Sequence, residues 1–259
     1  TLCLLNGLVA LRSGPAAEWV GLLAAAVAAT VAFIWWQRRQ IAQERRPLMD
    51  LRLFRYRQFA MGSIVAFIYG TALFGSTYLL PVFMQLGLQM SPSLVGTIML
   101  PSGIVLAMTI PLVGRLADRQ PTHVLVSIGL ALLACSFALM LLVGLQSAPW
   151  LLVLFTILGR IGLGFILPSL NLGAMRPLAK PLISQGSSVI GFVRMLGGAT
   201  GVSLCGIVLE WRIHAHGDSL SSAVSSAART AAFGETFLML SVLCLLALVA
   251  AWQLREAPA

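Results

Sequence analysis

Long apolar runs, broken by short clusters of charged or turn-forming residues, set the pattern of this chain. No Asp, Glu, Lys or Arg stands between Arg57 and Arg115, nor between Arg119 and Arg160. At about 1.5 Å of rise per residue, the first gap crosses a hydrocarbon layer of about 30 Å twice, with residues left for a turn. The runs predict one partial crossing at 1–11 and seven complete ones, at 19–36, 59–85, 94–114, 122–146, 150–175, 186–210 and 236–254. SGP at 13–15, SPS at 91–93, SAP at 147–149 and the RP and KP pairs between 176 and 181 supply the turns. The runs lack the polar/apolar alternation of barrel strands, so the fold class is all-α, a polytopic transmembrane helix bundle.

Composition agrees. Of 259 residues, 59% are hydrophobic, and the mean hydropathy of +0.94 is that of a membrane protein. The opening TLCLLNGL has no basic region before a short core and does not read as a signal peptide. Its run reaches Arg12 after eleven residues, so the expectation is a chain that starts inside a truncated helix and is a fragment of something longer. Cys3, Cys135, Cys205 and Cys244 sit in apolar stretches without ligand spacing and read as small buried hydrophobes.

The net charge of +9 would point to nucleic acid in a soluble protein, but its location points elsewhere. Segment 37–57 carries seven arginines, followed on alternate connections by Arg115 and Arg119, Arg176 and Lys180, and Arg255, twelve basic residues on one side. The other side holds Arg12, Arg212 and Arg229. The positive-inside rule makes the basic side and the C-terminus cytoplasmic, with anionic lipid rather than nucleic acid as the partner. Within that segment, PLMDLRLFRYRQF interleaves Leu48, Leu51, Phe54 and Tyr56 with Arg52, Arg55 and Arg57, which predicts a short helix with its apolar side in the headgroup boundary.

Charge inside or beside the apolar runs is the candidate chemistry. In VGRLADRQP, Gly114 is expected to let two helices approach, and Asp118 to offer a carboxylate near the next helix's N-terminus. Arg160, in GRIGLGF with Gly164 one turn on, lies mid-span, where a guanidinium needs a partner or a wet cavity. Arg194 opens RMLGGATG about eight residues from the expected cytoplasmic end of its crossing, close enough to snorkel. Gly197 and Gly201 form GxxxG beside Gly198, which reads as close helix packing. All eight acidic residues fall in loops or near span ends, so a titratable carboxylate at mid-membrane must come from elsewhere. HAHGDSL at 214–220 contains a four-letter hydrolase signature and two histidines, but in an outer loop of about 25 residues without the strand-turn-helix context of a nucleophile. Neither a catalytic nor a metal site is assigned, and no cofactor is expected.

GRLADR resembles the G-x-L-A-D-R signature between the second and third helices of a six-helix half in the major facilitator superfamily, with Gly114, Leu116, Asp118 and Arg119 as the matching residues. Pro121, Thr122 and His123 depart from that pattern's continuation. Arg160 and Gly164 look like the R-x-x-x-G element of such transporters. Together with STYLLPVFMQ and VRMLGGATGVSL, these motifs resemble the second half of a fourteen-helix drug:proton antiporter. The resemblance implies a central extra helix pair at 1–36 with its first member truncated, a cytoplasmic basic linker at 37–57 and a six-helix bundle at 58–259. It implies that the GRLADR motif gates the cytoplasmic side, that Arg160 acts in proton coupling, and that the transporter is a multi-pass protein of the inner membrane. Amphipathic, often cationic compounds would leave in exchange for protons, with a separate N-terminal half completing the carrier. Tyr69, Ser76 and Asn171 are the candidates for lining its cavity. Export of a metabolite or siderophore, or a non-transporting truncated remnant, are the alternatives.

Overall fold

A computed structural model describes residues 51–218 and 226–254, together with Ala24, Ala28, Val31, Ala32 and Trp35. Those five are helical and exposed, within the crossing expected at 19–36. The rest of the expected helix pair, the linker up to residue 50, the partial crossing at 1–11, and Cys3, Arg12 and Arg255 lie outside the described residues.

Among the described residues, six helices are long and apolar enough to cross a membrane: α1 Arg57–Val82, α2 Pro92–Ala117, α3 Thr122–Leu139, α4 Pro149–Met175, α5 Lys180–Ala215 and α6 Ala227–Trp252. No strand occurs among the described residues. A π-helical turn, Phe83–Gly87, continues α1, and a 3-10 turn, Met140–Leu142, continues α3. Pro92, Pro149 and Pro181 stand in the first turns of α2, α4 and α5, where a missing N–H leaves nothing unpaired. Ser91 and Ser226 cap α2 and α6 by accepting from Leu94 N and Arg229 N.

The strongest packing is between α1 and α5, α3 and α4, and α2 and α4; α6 packs on α3, α1 and α5. One layer therefore runs α2, α4, α1, α5, with α3 and α6 behind it. Phe83, Phe137, Phe233 and Phe237 fill the outer part of the core, with Phe83 and Phe237 meeting edge-to-face at 5.6 Å.

Two helices stand apart in exposure. In the apolar 18-residue stretch of α2 22% of the residues are buried and in that of α5 28%, against 50% or more in the other four. On α2 the exposed side chains form one row at four-residue spacing, Leu100, Ile104, Met108 and Leu112, the last two 69% and 68% exposed. Spacing of four keeps a row on one helical face. The whole face is unpartnered within this bundle.

Several sequence expectations need correction. α5 extends beyond 186–210 at both ends and α6 starts nine residues before 236, so the α5–α6 connection is far shorter than the expected loop of about 25 residues. Arg212 and Arg229 are helical, not loop cations. Arg212 pairs with Glu235 and Arg229 with Asp218, which lets the helices continue through those charges. Around Leu51–Arg55 the chain forms a 3-10 turn, not an interfacial helix. Leu53 is fully buried in the bundle, whereas Phe54, edge-on against Phe59 at 5.5 Å, and Tyr56 remain exposed.

Candidate functional site

The expected packing glycines sit where α1 and α5 touch backbone to backbone. A Cβ on Gly197 would lie 2.0 Å from the carbonyl oxygen of Phe67, and one on Gly70 would lie 2.0 Å from that of Arg194. One on Gly201 would meet Thr71 at 2.6 Å, and one on Gly198 would strike the Phe74 ring at 2.4 Å. No side chain fits at these distances. Thr71, between them, donates to Gly197 O at 2.9 Å and to Phe67 O at 3.1 Å, closing the crossing with a polar bond in an apolar setting. Similarly, a Cβ on Gly164 would lie 2.7 Å from the Thr109 Cβ, which brings α4 against α2 one turn beyond Arg160.

This close packing sets the depth of the charged residues. α4 descends to the α4–α5 connection and α5 rises from it. Arg160 stands fifteen residues before Met175, and Arg194 fourteen after Lys180, so each lies about 21 to 23 Å from that connection. Tyr69 stands twelve residues into α1, about 18 Å from the same end. The contacts between helices refine these depths: Gly62 meets Ala174, which sets Arg160 level with Ser76, about 9 Å beyond Gly70, which meets the Arg194 carbonyl. Arg160 is 9% exposed, and among the described residues it makes no hydrogen bond or ion pair. It lines a small internal pocket with Ser76, Ser136, Thr156 and apolar residues. Arg194 is half-buried, and at mid-helix it is deeper than the expected snorkelling position, because α5 begins six residues before 186.

Tyr69 and Ser76 are both buried on α1. Asn171 is exposed, eleven residues along α4 from Arg160 and about 16 Å from its level, so it does not join them.

The GRLADR residues lie at the basic end. Gly114 has nothing within 4 Å of where a Cβ would stand, so it makes no close helix approach inside this bundle. Asp118 is the exposed C-cap residue of α2, while α3 is preceded by Pro121 with no side-chain cap, so the expected carboxylate at that N-terminus is not formed. Leu116 and Arg119 are also exposed. Asp118 and Arg119 line an open depression of about 400 Å³ with Gln120, Thr122, His123 and Arg176. At the same end Arg57 donates to Gln253 at 3.3 Å, linking the start of α1 to the end of α6.

The opposite end holds a polar cluster that the linear pattern did not reveal. Arg212 of α5 forms a two-pronged ion pair with Glu235 of α6, and His216 Nε2 lies 3.3 Å from both carboxylate oxygens. Arg229, 0% exposed, donates to the carbonyl of Leu86 in the π-turn at 3.2 Å and to Asp218 Oδ1 at 3.4 Å. Ser226 donates to the other oxygen of Asp218. Asp218, inside the hydrolase-like GDSL, is thus a structural acceptor, while Ser219 lies outside the described residues. The signal was present in the sequence as acids and arginines on either side of one connection, Arg212 with Glu235 23 positions apart and Arg229 with Asp218 11, but the reach of Arg229 to Leu86, 143 positions away, was not legible there. Among the described residues no cluster of His, Cys, Asp and Glu is arranged to hold a metal ion.

A family model described as Major Facilitator Superfamily matches residues 3–202. A multidrug resistance protein B homolog of Mycobacterium tuberculosis (strain CDC 1551 / Oshkosh) is 29% identical over 201 residues, 77% of this chain and 36% of the relative. Lincomycin resistance protein LmrB of Listeria innocua is 30% identical over 174 residues, 66% of this chain and 36% of the relative. Colistin resistance protein EmrB of Acinetobacter baumannii is 29% identical over 171 residues, 66% and 33%. The chain thus spans about a third of the length of the curated relatives it matches.

Proposed function

The chain belongs to the Major Facilitator Superfamily, a family of multi-pass membrane transporters, and we propose that it forms the second six-helix half of a drug:proton antiporter exporting amphipathic compounds by alternating access. The observation that carries this reading is the layer α2, α4, α1, α5. Its flanking helices leave apolar faces unpartnered, at Leu100, Ile104, Met108 and Leu112 on α2 and Phe192 and Met195 on α5, while its central helices carry Tyr69 and Arg160. A second helix bundle covers those flanks, and the substrate path runs between the two halves. The names of the relatives support a drug-like substrate.

In this reading the basic end faces the cytoplasm of an inner membrane. Arg57, Arg115, Arg119, Arg176 and Lys180 gather there with Asp118, whereas Arg212 and Arg229 at the other end are matched by Glu235 and Asp218. Anionic lipid contacts the basic end. Asp118 and Arg119 act as a gating latch whose counterpart is the other half, consistent with their exposure and with the open space at Gly114. The titrating carboxylate of proton exchange belongs to the other half as well, because the acidic residues of the described helices stand near their ends.

The test is transport by the intact carrier in inverted membrane vesicles. An imposed pH gradient, acid inside, should drive uptake of a fluorescent amphipathic compound, and a protonophore should abolish it. Uptake indifferent to the gradient would remove proton coupling from the reading; no transport of any amphipathic compound, with metabolite export instead, would remove the drug assignment.

A further inference from the structure

Between α1, α3 and α4 lies an internal pocket of about 10 Å³, lined by Ser76, Ser136, Thr156 and Arg160 and otherwise by apolar side chains, among them Phe137 and Met140. That volume is about what one water needs and excludes anything larger. α3 and α4 close it tightly, since a Cβ on Gly159 would lie 2.7 Å from Ser136 Oγ. The pocket faces the helix behind the layer, away from the flanks left for a second bundle.

The polar groups around it are complementary to one small molecule. Ser76 donates to Leu73 O at 3.0 Å, Ser136 to Phe155 O at 2.7 Å and Thr156 to Leu152 O at 2.7 Å. Each hydroxyl hydrogen is thereby committed to a backbone carbonyl, and what each oxygen keeps is acceptor capacity. Arg160 brings the opposite property: a guanidinium has only donors, and among the described residues this one makes no hydrogen bond or ion pair at 9% exposure. A guanidinium within a membrane span is retained where it meets an opposite charge or water. An oxyanion is excluded here by size and by the committed hydroxyl hydrogens, and a cation by the arginine. Water accepts from the one group, donates to the others, and fits.

We propose that one ordered water occupies this pocket, accepting from Arg160 and donating to two of the hydroxyl oxygens of Ser76, Ser136 and Thr156. It joins α1, α3 and α4 at the level of Ser76 through three polar bonds in an apolar setting, and it hydrates Arg160 within the span without an acidic partner. The site stands apart from the exporter reading and does not depend on which compound is carried.

The purified intact carrier in detergent is given a short X-ray pulse, which makes hydroxyl radicals from bulk and bound water alike, and side-chain oxidation is read by mass spectrometry. Phe137 and Met140 are 2% and 1% exposed, so bulk radicals do not reach them and oxidation there reports water in the pocket. Phe59 and Met84, both 0% exposed and outside the pocket, are the references. Met140 is expected to be oxidised severalfold more than Met84, and Phe137 severalfold more than Phe59. Ser76→Val fills the pocket and should bring Met140 down to the level of Met84. Thr156→Val keeps the shape but removes an acceptor and should lower Met140 oxidation by a smaller factor. Monodisperse elution and unchanged helical circular dichroism establish that each variant is folded; Thr156→Val serves if Ser76→Val is not, and the comparison of Met140 with Met84 in the parent needs neither. Equal oxidation of Met140 and Met84 in the parent overturns the proposal, as does oxidation of Met140 that folded Ser76→Val leaves unchanged, which would mean that bulk solvent reaches it.

Discussion

The hydroxyl of Thr71 donates to the carbonyl oxygen of Gly197 across the α1–α5 crossing, at 2.9 Å, where the two backbones touch. The bond exists because Gly197 has no side chain to hold the helices apart. Replacing Gly197 with Val should force the crossing open and destabilise the bundle by about 3 kcal/mol. Thr71→Ala, which removes one bond but no space, should cost about 1 kcal/mol. Thermal unfolding in detergent distinguishes the two, and a Gly197→Val carrier as stable as the parent would show that the crossing is not a fixed contact.

Arg229 ties the start of α6 to the π-turn after α1 while compensating Asp218. Arg229→Met removes a donor from the Leu86 carbonyl and the countercharge of a largely buried carboxylate, so a loss of about 3 kcal/mol is expected. Asp218→Asn keeps an acceptor oxygen and should lose less. Equal melting temperatures for Arg229→Met and the parent would contradict the assignment of this arginine to structure.

Asp118 is exposed at the end of α2 and its carboxylate makes no hydrogen bond or ion pair among the described residues, so the bundle does not need that side chain to fold. Asp118→Asn in the intact carrier should insert normally and transport severalfold more slowly. Rates equal to the parent's would remove the gating role.

Membrane sidedness can be read with an impermeant thiol reagent on intact cells, in a background without native cysteines. His214→Cys, exposed in the last turn of α5, should label from outside, and Arg119→Cys only after the membrane is opened. The reverse pattern would invert the orientation.

Much of the fold was legible in the chain. Each of the six crossings expected from 59 onward corresponds to a helix, because exclusion of charge from hydrocarbon acts on each residue locally. Their ends were read less well. Charged residues halted the reading at 210 and restarted it at 236, yet Arg212, Arg229 and Glu235 are all helical. A charge breaks an apolar run whether or not it is neutralised, and its neutralising partner stands on another helix.

The site divides in the same way. Sequence alone determined that this is a helical membrane protein, which arginines lie within its spans, and that its charge is asymmetric, since each follows from the identity and order of residues. Only the tertiary structure decided that Arg160 lines a pocket with Ser76 while the Arg194 carbonyl meets Gly70, that Asn171 stands apart and exposed, that Gly114 faces open space, and that Arg229 is clasped by Leu86 and Asp218. Those relations depend on helix register and crossing, which backbone contacts such as Gly197 on Phe67 fix between residues far apart in the chain.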